Sequence, residues 1–80
     1  MQRWEYAQVF HTTDGGAHIV KVRFTHQDAW PNTDALWPVL RALGDDGWEL
    51  AGPPDVLPKR PMDAPDTEVH AFWFKRAVAN

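Results

Sequence analysis

The chain has 80 residues, with five tryptophans, no cysteine and a formal net charge of −3 at pH 7. This length predicts one domain, residues 1–80, and the absence of cysteine excludes disulfides and thiolate zinc sites. Basic residues form no cluster larger than a pair, so the sequence predicts no nucleic-acid partner.

The first predicted element is a β-hairpin. Residues 3–10 and residues 19–24 each alternate in side-chain character, and Asp14-Gly15-Gly16 between them is a turn signal. A turn at Asp14–Gly15 sets Val9 opposite Val20, whereas a turn at Gly15–Gly16 shifts every partner by two residues. Both turns leave the same side chains on the same face, because a shift of two preserves the alternation.

One short helix follows a loop at residues 25–32. Its apolar stripe at helical spacing consists of Leu36, Val39, Leu40 and Leu43. Thr33 and Asp34 are candidate N-caps, but with Asp34 as the cap Pro38 would remove a hydrogen bond inside the helix. The alternative is a helix that starts near Leu36 or Trp37, with Pro38 as its first residue. Gly44 is predicted to end the helix.

Two further strands are predicted at residues 48–51 and 67–76. Between them, residues 52–66 hold five of the seven prolines, which is typical of an extended loop. The element order β-β-α-β-β predicts an α+β fold: a four-stranded antiparallel sheet with one short helix on one face. The spatial order 2-1-3-4 makes every pair of neighbouring strands antiparallel with a single crossover.

Three segments of the chain occur together in a known family. They are Trp4-Glu5-Tyr6, the Leu-Gly-x-x-Gly-Trp-Glu-Leu run at residues 43–50, and Phe74-Lys75-Arg76. This pattern resembles a family of short bacterial proteins known as a domain of unknown function. The resemblance implies a small sheet with one helix and brings no activity or catalytic residue. Pro38 and the loop at residues 52–66 depart from the pattern.

The sheet face that the helix does not cover is predicted to be aromatic. Alternation places the candidate interaction residues there: Trp4, Tyr6, Phe10, Ile19, Arg23 and Trp73. Large apolar patches mark interfaces, so packing of a second subunit is favoured over two alternatives. These are cover by the proline-rich loop, with Val56, Leu57 and Met62, and a bound ligand.

Residues able to carry chemistry are few. A turn at Asp14–Gly15 would set His11 directly opposite His18, near enough to share a metal ion. No third ligand is evident, so we predict two polar residues at the solvated end of the hairpin, with no metal and no cofactor. Serine and cysteine, the common nucleophiles, are both absent. If the first and third strands are neighbours, Glu5 and Glu49 approach each other or a basic residue such as Lys75, which favours a structural ion pair at the sheet surface.

These observations predict a non-enzymatic module that oligomerises or binds a protein partner through its aromatic face, most simply as a homo-oligomer. The alternative is a small-molecule-binding protein or minor enzyme with a pocket between the sheet and the loop at residues 52–66, where His26 and Asp28 supply polar groups. No apolar run approaches the roughly 18 residues of a membrane span. Strand signals begin at Arg3 or Trp4, which leaves no room for a signal peptide, so a cytoplasmic location is expected.

Overall fold

The computed structural model describes residues 2–58 and 67–78. The elements are β1 (Trp4–Asp14), β2 (Ala17–Phe24), β3 (Trp30–Thr33), α1 (Leu36–Asp45), β4 (Glu49–Leu50), β5 (Asp55–Leu57) and β6 (Glu68–Ala77). The strands form one sheet in the order β3-β2-β1-β6-β4, and β5 also pairs with β6. All these pairs are antiparallel.

The predicted four-stranded sheet is wrong, because the described part of the chain contains six strands. The class, a mostly antiparallel sheet with one short helix, is compatible with the prediction. The two additional strands lie in segments predicted as loops: β3 pairs Trp30 with Val22, and β5 pairs Asp55 with Ala71. Pro31 is tolerated in β3 because that strand lies at the sheet edge, where a missing N–H breaks no ladder.

The predicted strand order is also wrong. The last strand, β6, lies beside β1, and β4 lies on the far side of β6, where Glu49 pairs with Lys75. The physical reason is the length of the ladder. β6 has 10 residues and pairs with β1 from Trp4↔Ala77 to Thr13↔Glu68, whereas β4 has 2 residues and offers β1 little to pair with.

The hairpin between β1 and β2 uses the second of the two predicted turns. Asp14 pairs with Ala17, so Gly15 and Gly16 form a two-residue loop, with φ of 57° and 89°. Positive φ at both positions is the geometry of a type I′ turn, which glycine adopts without steric cost. Val9 therefore pairs with Val22, and the faces of both strands are as predicted.

The helix begins at Leu36 with Ala35 as its N-cap, and no side chain caps it. Pro38 lies in the first turn, where its missing N–H has no partner to lose. The predicted stop at Gly44 is wrong, because α1 continues through Asp45. Gly47 instead takes the left-handed conformation, with φ 86°, that turns the chain into β4.

The hydrophobic core lies between α1 and one face of the sheet, here called the core face. Its buried residues are Ala7, Val9, Val20, Val22, Val39, Leu43, Trp48 and Phe74. Val39 and Leu43 come from the stripe predicted from the sequence. In the residues that the structure describes, no helix is long and apolar enough to cross a membrane.

Candidate functional site

The face of the sheet opposite α1, here called the open face, carries every residue predicted for the interaction surface. Register places Ile19 opposite Thr12, and both Arg23 and Trp73 opposite Gln8. Because side chains alternate along β1, the even-numbered residues of that strand share one face. The residues brought together on the open face are Trp4, Tyr6, Phe10, Ile19, Arg23 and Trp73.

The large apolar side chains of the open face remain partly in water. Trp4, Tyr6, Ile19 and Trp73 are between 41% and 44% exposed. Ala71, from the same face, is buried at 3%. Aromatic rings of the open face therefore stand above the buried Ala71, and aromatic side chains are enriched at protein interfaces.

Two grooves cross the open face. Tyr6 and Trp73 line the first, an open groove of about 540 Å³ that Pro53 and Asp55 also line. Phe10 and Arg23 line the second, of about 440 Å³, together with Leu57. The first groove has a carboxylate on its wall, and the second has a guanidinium.

Part of the proline-rich segment reaches the open face. Leu57 and Pro58 line the second groove beside Val69. Val56 alternates with Leu57 along β5 and so lies on the opposite face. The remainder of the predicted covering loop, residues 59–66 with Met62, lies outside the described residues.

The open face has basic residues at one edge, and at the other edge acidic residues, one of which is paired with Lys75. Lys21 and Arg23 lie on β2, whereas Glu49 on β4 and Asp55 on β5 lie at the other edge. Register aligns Asp55 with Ala71, then Phe10, then Lys21 across the four strands. Asp55 and Lys21 are thus at the same level along the strands, on opposite sides of the β1–β6 pair.

Glu49 forms the predicted ion pair with Lys75, whereas Glu5 pairs with Arg76, a partner that was not predicted. Lys75 Nζ lies 3.9 Å from Glu49 Oε1 and also 4.5 Å from the centre of the Trp4 ring. Arg76 Nη2 lies 2.7 Å from Glu5 Oε2. Both pairs join strands that are neighbours in the sheet, and the second is the shorter and the less exposed.

Arg76 is the centre of a polar cluster that the sequence did not predict. Its guanidinium also donates to Asp46 Oδ2 at 2.8 Å and lies 4.4 Å from the centre of the Trp48 ring. The hydrogen bond to Glu5 is the main reason that the pKa of Arg76 is raised. The cluster ties β1 and β6 to the turn after α1, which is a structural role.

The polar residues proposed for a small-molecule pocket do not line the groove beside the described part of the proline-rich segment. His26 Nε2 lies 3.3 Å from Glu5 Oε2, and its ring packs 5.8 Å from that of Trp48. Neither His26 nor Asp28 lines the groove of Tyr6 and Trp73. That groove therefore lacks the polar groups predicted for it, and Asp55 supplies its carboxylate.

His11 and His18 are close, although not directly opposite as predicted. The shifted register pairs His11 with Val20 and His18 with Thr13, so the two histidines are diagonal neighbours. Their Nε2 and Nδ1 atoms lie 3.0 Å apart. Across residues 2–58 and 67–78, no three side chains of ligating type are grouped to hold a metal ion.

Comparison with known proteins yields no relative. No protein family, no curated protein and no solved structure matches this chain significantly. The resemblance to a domain of unknown function stays a prediction from the three sequence segments. A functional proposal for the chain therefore rests on the chemistry of its own surface.

Proposed function

We propose that this chain is a small non-enzymatic module that forms a homodimer by packing the open face of one copy against that of a second. The observation that carries the proposal is the exposure of Trp4, Tyr6, Ile19 and Trp73 on one face. Aromatic side chains grouped in this way stabilise interfaces by burying large area with little loss of rotamer freedom.

The size of the open face supports this use. Strands β1, β2 and β6, about 4.8 Å apart and with at least eight residues each at about 3.3 Å, give a flat footprint of about 380 Å². Side-chain relief makes the accessible area larger than this footprint. Patches of about 300–600 Å² are the largest on typical monomers and are often functional, and a standard interface buries about 800 Å² per partner.

The common level of Asp55 and Lys21, at opposite edges of the open face, supports a particular symmetry. A two-fold axis parallel to the strands, between β1 and β6, lays the β2 edge of one copy over the β4–β5 edge of the other. Asp55 of each copy then faces Lys21 of the second copy, because the two are at one level. An axis perpendicular to the strands would instead lay β2 over β2 and set Lys21 and Arg23 against like charges.

A second candidate function follows from one specific observation. The groove of Tyr6, Trp73 and Pro53 has a volume of about 540 Å³, within the range of small-molecule sites. A bound apolar ligand would cover the two aromatic rings in place of a second subunit.

Native mass spectrometry of untagged full-length protein, purified without added ligand, separates the two functions. The proposal expects a dimer without excess mass. A monomer at concentrations well above micromolar would overturn it, and a monomer that carries additional mass would support the ligand-binding alternative.

A further inference from the structure

Three histidines lie on three neighbouring strands, on the core face of the sheet. His11 lies on β1, His18 on β2 and His70 on β6, where His70 is the cross-strand partner of His11. This histidine cluster has no role in the proposed dimer, since it is on the opposite face of the sheet. Its geometry points to a separate property.

The rings of His11 and His18 lie end to end. Their planes are 17° apart, their centres are 5.2 Å apart, and the facing nitrogens are 3.0 Å apart. The distance between the ring centres nearly equals the distance between the two nitrogens plus the radius of each ring. The two nitrogens therefore point at each other. A neutral imidazole has one N–H donor and one acceptor nitrogen. One N–H therefore fills the space between the rings as an in-line hydrogen bond.

One further histidine and two carboxylates lie around the pair. His70 faces His11 from β6, and His70 Nε2 lies 3.3 Å from the exposed carboxylate of Glu68. Asp34 lines the same surface groove as His18. Two carboxylates thus face three potential imidazolium ions.

We propose that His11 and His18 are a proton-sharing pair that loosens the end of the β1–β2 hairpin at mildly acidic pH. When both rings are neutral, or when only one of them is protonated, a single proton lies between the two rings and the hydrogen bond is kept. With both rings protonated, two donors face each other with no acceptor, and two positive charges repel. The second proton therefore opens the pair.

The direction of the pH effect follows from the environment of His11. Burial, and then the positive charges of His18 and His70, lower the pKa of His11 from its ordinary value of 6.5. The unfolded chain then binds more protons than the folded chain as the pH falls below 6.5. Folded-state stability is full above that pH and declines below it.

Titration of the imidazole rings by NMR tests the pair directly. The full chain is titrated from about pH 8 to about pH 5. The midpoint of the His11 titration is expected to be lower in the wild type than in His18→Asn, by about 0.5 pH unit or more. His70→Asn should raise it less. His26→Asn removes a histidine from the other end of the sheet and serves as the control, in which the His11 midpoint stays unchanged.

An equal His11 midpoint in the wild type and in His18→Asn would overturn the proposal. Urea unfolding provides a second measurement that does not depend on assigning the rings. The wild type should lose stability between about pH 7 and about pH 5, and His18→Asn should lose less. Equal losses in the two proteins would also count against the shared proton.

Discussion

Arg76 and Glu5 are directly opposite each other in the β1–β6 ladder, and their side chains are joined by a hydrogen bond of 2.7 Å from Nη2 to Oε2. Two sequence segments far apart in the chain, Trp4-Glu5-Tyr6 and Phe74-Lys75-Arg76, therefore meet at one point of the sheet. This contact indicates that the charged residues of both segments stabilise the fold.

Replacement of Arg76 by Met should destabilise the chain by about 1–3 kcal/mol, because Glu5 loses a charge-assisted partner. The Arg76 and Glu5 side chains are only 25% and 18% exposed, so solvent screens the pair incompletely. Urea unfolding measures the loss. Lys75→Met is the matched control: its pair with Glu49 is longer and more exposed, so the change should stay within about 0.5 kcal/mol. Equal losses would contradict the assignment.

Trp73→Ala should weaken the homodimer by about 30-fold or more, because truncation of a central aromatic residue removes about 2 kcal/mol or more of binding energy. Sedimentation over a concentration series measures the dissociation constant. Trp37→Ala provides a matched control, since Trp37 is 79% exposed on the helix, away from the open face. A dimer that is weakened by Trp37→Ala but unchanged by Trp73→Ala would contradict the proposal, because the interface would then lie on the helix side of the molecule.

Charge reversal tests the symmetry of the dimer. Lys21→Glu or Asp55→Lys alone should weaken dimerisation about 10-fold, because like charges then face each other across the interface. The double variant exchanges the charges and should recover most of the wild-type affinity. Size-exclusion chromatography at two salt concentrations measures both effects. Absence of recovery in the double variant would exclude the axis parallel to the strands.

Two glycine substitutions test where the helix ends. Gly44→Ala should stabilise the chain by about 0.5–1 kcal/mol, since Gly44 lies in α1 and nothing occupies the space of an added Cβ. Gly47→Ala should destabilise by about 1–2 kcal/mol, because φ at Gly47 is +86°. Thermal unfolding followed by circular dichroism measures both. The two substitutions are expected to change stability in opposite directions. A loss of stability in Gly44→Ala would instead support the helix end at Gly44 that the sequence predicted.

The sequence by itself determined the features that depend only on local patterns of residues. Alternation along residues 3–10 and 19–24 assigned the two faces correctly, because a period of two is a property of each strand alone. The helical stripe likewise identified Val39 and Leu43 as core residues. The six candidate surface residues were placed on one face for the same reason.

Pairing between distant segments decided the rest. Both turns at Gly15 satisfied the alternation, so only the folded hairpin fixed Val9 opposite Val22 and brought His11 diagonal to His18. Strands β3 and β5 are short, and β3 contains Pro31 while β5 lies between Pro54 and Pro58, which leaves no periodic signal to detect them. The position of β6 beside β1 follows from the long ladder between them, an energy that exists only once both strands are in the same sheet.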